Sequence, residues 1–241
     1  MSEELKGNRR IFLIAAAVLA VGIVAGGYLL GDGLKRAHLA DRAVTMRGLA
    51  ERNVTADLAT WTISFSAQGT ELADVLAESD RDAAAVLAFF RQAGFPTQAV
   101  TDAGGAVNQF YDTNRQANSV TVTRRIQLRT ADVMRARQAY ARQFELIRGG
   151  VAIQEGSGMQ YSFTQLNSIK PQMIAQATQD ARRGAEQFAT DSGTAVGGIR
   201  SATQGYFSIG ARDGDPTAEG GGGDSPFQKV RVVTTIEFYL S

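Results

Sequence analysis

The sequence predicts an α+β protein, an N-terminal transmembrane helix followed by one soluble domain in which about three helices pack on an antiparallel or mixed sheet. Three observations predict it. Residues 11–30, IFLIAAAVLAVGIVAGGYLL, carry no charge, and twenty residues at about 1.5 Å each match the roughly 30 Å hydrocarbon core of a bilayer. Beyond them the apolar period switches repeatedly between about 2 and 3.6 residues. Strands also follow one another in pairs between the helical stretches, which argues against a doubly wound parallel sheet.

The uncharged run ends in Tyr28, Leu29 and Leu30 with no small-x-small cleavage site close behind it, so it reads as an uncleaved anchor rather than a signal peptide. Lys6, Arg9 and Arg10 precede it, and Lys35, Arg36 and Arg42 follow it. The charge count ties, but Arg9 and Arg10 abut the run, which places residues 1–10 in the cytoplasm and the C-terminal domain outside, in the periplasm. Residues 31–43 form a polar linker, and the α+β domain spans residues 44–241.

Within the domain, residues 44–49 pair with a strand in which Ala59, Trp61, Ile63, Phe65 and Ala67 alternate with polar neighbours, through a turn at residues 51–53. Trp61 belongs to the core. Leu72, Val75, Leu76, Ala83, Val86, Leu87 and Phe90 then make one helical stripe, with Thr70 as N-cap and Gly94 as stop. A return strand covers residues 95–100, and Val120, Val122, Ile126 and Leu128 alternate in another. Arg124 stands in the inward register of that strand, which implies a bulge, an interface or pore-facing position, or a different register.

A second helix, capped by Thr130, carries Val133, Ala136, Tyr140, Phe144 and Ile147 and ends at Gly149-Gly150. Met159, Tyr161 and Phe163 make a short strand. The third helix starts near Pro171 and runs to Ser192, with Ile174, Ala177, Ala181, Ala185 and Phe188 inward. Two strands close the chain, residues 199–209 and 229–240, the second alternating from Val230 to Leu240. Between them, residues 210–227 are rich in Gly, Asp and Pro and read as a mobile hairpin loop.

Composition narrows the function. Charged residues make up 20% and the net charge is +1, so no global field favours nucleic acid. The chain has no cysteine and one histidine, His38 in the linker, which removes thiolate chemistry, a Ser-His-Asp relay and a histidine zinc site within the domain. Asp57, Glu155 and Glu237 are carboxylates without a pairing that the sequence specifies. None of the glycine pairs has the strand, loop, lysine and helix order of a phosphate-binding motif. No catalytic, cofactor-binding or metal-binding residue is expected.

Charge is uneven, however. Arg124, Arg125, Arg129, Arg135, Arg137, Arg142 and Arg148 crowd one segment, while Glu71, Asp74 and Glu78 lead an acid-rich first helix. These two faces are candidate interface surfaces, or ordinary solvated ones.

Three stretches carry a family resemblance: Arg47-Gly48-Leu49-Ala50 with Ala56-Asp57-Leu58-Ala59, the valine-rich strand from Ser119 to Thr130, and the helix ATQDARRGAEQFA from Ala177 to Ala189, followed by Gly193 and Gly197. In this order they resemble the SIMPL-domain family over residues 44–241. Ala50 and Ala56 stand where many members carry glycine and proline. The resemblance implies an extracytoplasmic, envelope-associated α+β protein. Some bacterial members form ring-like homo-oligomers, some are linked to resistance to oxidative stress, and no established catalysis accompanies the family. The leading expectation is therefore a membrane-tethered, self-assembling envelope protein with a structural or stress-protective role. The alternative is a ligand- or partner-binding module that uses the arginine face or the loop at 210–227.

Overall fold

A computed structural model of the chain describes residues 19–32, 42–113, 116–213 and 223–241. It shows an α+β fold with two antiparallel sheets rather than one. Residues 19–32 are helical (α1). The elements that follow are β1 (Ala43–Thr55), β2 (Leu58–Gly69), α2 (Leu72–Gln92), β3 (Val100–Asp112), β4 (Ala117–Thr130), α3 (Val133–Ala141), α4 (Phe144–Arg148), β5 (Gly158–Ser162), α5 (Leu166–Ser192), β6 (Val196–Gln204), β7 (Ser208–Ala211) and β8 (Phe227–Leu240). One sheet has the order β3-β4-β2-β5; the other has β1-β8-β6, with β7 also on β8.

Of the span expected at residues 11–30, residues 11–18 lie outside the described residues. Among the described residues no helix is long and apolar enough to cross a membrane. Those of α1 expose Leu19, Val21, Ile23, Val24, Leu29 and Leu30.

The stretch expected to be one domain divides into two compact units. The first takes residues up to Ala50, Ile174–Gly205 and Val233–Ser241, and the second takes Glu51–Met173 and Tyr206–Val232. In the second unit, β2 and β4 turn Trp61, Ile63, Phe65, Ile126 and Leu128 onto Val86, Phe89 and Phe90 of α2 and Ala136 of α3. Trp61 is fully buried and meets Phe89, Phe90 and Tyr140 edge-on at centroid distances of 5.9, 5.2 and 5.3 Å. In the first unit, Ala181 and Ala185 pack on Ile236 and Phe238. There, a Cβ on Gly48 would overlap the Ala177 carbonyl oxygen, so this glycine lets the helix backbone lie against β1. Asp180 secures the contact by accepting the Leu49 N–H at 3.0 Å.

Several boundaries differ from the sequence reading, each for a local reason. Residues 51–53 are not a turn, because β1 continues to Thr55, and β1 and β2 belong to different sheets. The corner is Ala56-Asp57, whose N–H groups donate to Pro226 and Ser162. Thr70 does not cap α2; the cap position is Glu71, without a side-chain bond. Leu72, Leu76 and Leu87 are partly exposed, and Ser79 and Phe89 take buried places on the helix instead.

The second expected helix is two. Thr130 accepts from the Asp132 N–H, one residue too early to cap, and Asp132 itself caps α3 through the Arg135 N–H. Tight bonds from Arg142 and Gln143 back to Ala139 and Tyr140 end α3, and α4 buries Leu146 rather than Phe144 or Ile147.

The third helix begins at Leu166 with Pro171 inside it. Its buried positions step by four, Ile169, Met173, Ala177, Ala181, Ala185 and Ala189, and leave Phe188 exposed. The expected strand at 199–209 breaks around Gly205 into β6 and β7. In β8 the alternation holds from Val230 to Phe238. Of the loop expected at 210–227, Gly210 and Ala211 belong to β7, and residues 214–222 lie outside the described ones.

Candidate functional site

The main departure from the sequence reading is β3. Gly104-Gly105, one of the glycine pairs without a phosphate-binding pattern, is a bulge within a strand of 13 residues. Gly104 takes a left-handed φ of +86°, which glycine adopts without steric cost, and its N–H donates to Asp102 Oδ1 at 2.9 Å. A Cβ on Gly105 would overlap the Thr123 carbonyl oxygen. This stretch therefore folds back on its own carboxylate and lies close against β4.

The bulge aims Asp102 at Arg124. The inward register of Arg124 stands: it shares the α2-facing side of β4 with Val122 and Ile126, and the irregularity is in β3. Its guanidinium bridges Asp102 Oδ2 and Asp80 Oδ1 of α2, both at 2.7 Å. The Arg124 hydrogen bond, helped by the Gly104 N–H, holds the Asp102 carboxyl below its usual range, and Asp102 raises Arg124 in turn. One arginine thus ties the middle of a helix to an edge strand.

Beside it runs a groove of about 470 Å³, bordered by Leu76 and Ser79 of α2, Gly105 and Val107 of β3, and Val122 of β4. Ser79 is 1% exposed, and its Oγ has no hydrogen-bond partner among the described residues. Buried hydroxyls are ordinarily paired, because leaving one unpaired costs about 1–3 kcal/mol. Beyond the bulge β3 lies at the sheet edge with both faces exposed, including Val107, Phe110 and Tyr111.

Four of the arginines expected to form one face, Arg124 included, have separate partners. Arg135 pairs with Asp132 and donates to the Gly94 carbonyl. Arg142 pairs with Glu145 and lies over Phe89. Arg137 sits 5.7 Å from the Phe227 centroid, whose other close cation is Arg212 at 5.0 Å. Arg125 and Arg129 are exposed on β4, and Glu71, Asp74 and Glu78 are exposed on α2. Of the acids that Arg124 meets, Asp80 belongs to the acid-rich first helix, and Asp102 was not singled out from sequence. An Asp-x-Gly signal at 102–104 was there to be read, since Asp side chains bond the backbone two residues on. Nothing in the sequence marked Ser79.

Asp57, within the first of the stretches that carry the resemblance, accepts the Thr164 N–H at 2.8 Å just ahead of α5. Like Gly48 and Asp180, it serves the fold. Among the described residues no cluster of His, Asp or Glu could hold a metal ion.

The family described as SIMPL, protein of unknown function (DUF541), matches residues 44–238. No curated protein matches the chain.

Proposed function

We propose, from the premise that the chain belongs to the SIMPL family, that it is a membrane-tethered protein that self-assembles outside the cytoplasm and serves a structural or stress-protective role without catalysis. One observation carries the assembly reading: β3 is a long edge strand whose residues from 105 to 111, GAVNQFY, include no charge and no proline. Soluble proteins ordinarily guard such edges with lysine, proline or a covering element, because bare strand edges pair with other chains. Tethering is supported by the uncharged run at 11–30 and by the apolar side chains that the described part of α1 exposes.

The structure shifts the expected contact away from charge. Arg124, Arg135 and Arg142 meet acids of their own chain, so they contribute less to a contact between copies than their number suggests. The native mass of the full chain in mild detergent tests the reading. A defined multi-subunit species is expected, and it should persist at about 0.5 M salt, where screening is effective within about 5 Å. A monomer at every concentration would overturn it.

The alternative, a ligand-binding module, has one supporting feature. A cleft of about 450 Å³ is lined by Arg137, Tyr140 and Tyr161, and burial pushes the Tyr161 hydroxyl above its usual pKa.

A further inference from the structure

We infer that β3 pairs antiparallel with β3 of a second copy about a two-fold axis at Asn108, seating Tyr111 of each copy in the other's groove beside Ser79. This inference rests on the assembly reading and names its contact.

The register follows from the strand itself. β3 faces of equal parity must match across an edge-to-edge pair, because a slip of one residue turns every side chain to the wrong side. On the α2-facing side lie Gly105, Val107, Gln109 and Tyr111; on the other lie Ala106, Asn108 and Phe110, as their partners Val122 and Thr121 on β4 show. Only the regular stretch after the bulge can pair without interruption. Centred on Asn108, it places Tyr111 opposite Gly105 of the second copy and Phe110 opposite Ala106. Centred on Asn108 alone, both aromatics meet residues with little or no side chain while staying within that stretch. A shift of the centre to Val107 carries them across the bulge, and a shift to Gln109 sets them against Val107 and Asn108.

The groove supplies the receiving side. Gly105 brings no side chain to the border of this groove, and Leu76 and Val107 flank it, each more than 40% exposed. A tyrosine ring entering from the facing copy covers these apolar groups, and its hydroxyl is the polar atom that arrives next to the unpaired Ser79 Oγ. A buried aromatic with one polar end is the residue type that interfaces favour.

Charge agrees. The charged residues of β3 are Asp102 and Asp112, and β4 behind it carries Arg124 and Arg125. In this register Asp112 stands opposite Gly104 of the second copy, on the sheet face where exposed Arg125 lies. The two charges on that face are opposite in sign, and residues 105 to 111 bring no charge of their own into the pair.

The chain has no cysteine, so single cysteines report position without background. Asn108→Cys, Ala106→Cys and Phe110→Cys would each be introduced into the full chain and treated, in membranes and in mild detergent, with a short bis-thiosulfonate bridging reagent. Residue 108 lies opposite itself, roughly 5 Å away between Cβ atoms. Residues 106 and 110 each lie about 14 Å from their own copies, at four residues of strand. A bridged dimer at 108, at least tenfold above 106 and 110, is expected. Equal bridging at the three positions, or a maximum away from 108, overturns the register. Asn108→Lys, which leaves the exposed strand foldable, should raise the dimer dissociation constant at least tenfold with an unchanged unfolding midpoint of the dissociated chain, and Tyr111→Ala should do the same. A multi-subunit native mass that both variants leave intact would retain self-assembly and discard this contact. A monomeric wild-type mass would discard both.

Discussion

Trp61 offers the most direct test of the core. Its side chain is fully buried in β2, and burying an aromatic of this size removes about 150–250 Å² from water. At about 25 cal/mol per Å² that is roughly 4–6 kcal/mol. Trp61→Ala forfeits most of it together with three edge-on ring contacts, and aromatic truncations of this kind cost about 3–5 kcal/mol. An opposing effect lowers the figure. Trp61 Nε1 is buried without a hydrogen-bond partner among the described residues, so truncation also removes a desolvation cost of about 1–3 kcal/mol. The expected loss is therefore near 3 kcal/mol, and Trp61→Phe, which keeps a ring but not the N–H, should cost about 1 kcal/mol or less. The assay is urea denaturation of the full chain followed by far-ultraviolet circular dichroism, because Trp61 is the only tryptophan and its variants lose intrinsic indole fluorescence. An unchanged midpoint for Trp61→Ala would refute the core placement. Equal losses for the alanine and phenylalanine variants would show that the indole N–H is engaged.

Three further outcomes follow from other contacts. Gly48→Ala should destabilise the chain by about 1–3 kcal/mol or more, as overpacking does, because the new Cβ overlaps the Ala177 carbonyl; a wild-type denaturation midpoint would mean that α5 does not rest on β1 there. Asp102 is held below its ordinary pKa chiefly by Arg124, so its stabilising share is present above about pH 4 and disappears as pH falls through the lowered folded value. Wild type should exceed Asp102→Asn by about 1 kcal/mol or less at neutral pH, given the exposure of the pair, and the gap should close in acid; a gap that widens in acid would contradict the assignment. Asp180 is likewise lowered, first by the Leu49 N–H, and Asp180→Ala should slow no chemistry but cost about 1–2 kcal/mol, read from the same denaturation curves.

The legible parts of the fold were those where one face is buried and the other wet. The alternation in β8, that in β2 as far as Ile63 and the stop at Gly94 stand, because burial imposes a period that composition displays; farther along β2 the period fails, since Ser64 and Ser66 are buried as well. The return strand expected at 95–100 meets β3 only at Val100, because Thr97–Ala99 form a 3-10 turn, and the rest of β3 was not legible, since a strand exposed on both faces has no period to show and its two glycines resemble a turn. The start of the second helix turned on Asp132 rather than Thr130 taking the cap, and its split on tight bonds at Arg142 and Gln143, contests of hydrogen bonds that composition cannot decide. At the candidate site, the excess of arginine was visible but its pairing was not. Arg124 finds Asp80 and Asp102 at separations of 44 and 22 positions, which only the tertiary arrangement of α2, β3 and β4 supplies. The stretches that carry the family resemblance proved to hold structural residues, Gly48, Asp57 and Asp180, which is why they identified a fold without disclosing an activity.

The way the first unit is drawn from the chain sets a timetable for folding. The larger part of the second unit holds β2, α2, β3 and β4 in uninterrupted succession, so the contacts among these elements close early and cost little loop entropy. The first unit joins Leu49 to Asp180 across 131 positions and needs the strand residues Val233–Ser241 as well. During synthesis, therefore, β1 waits for almost the whole polypeptide to emerge, with Gly48 and its neighbours uncovered meanwhile. C-terminal truncation of even the last few residues should leave the early unit formed and strand the late one, so a nascent chain halted near Val232 is the form of this protein most in need of a chaperone.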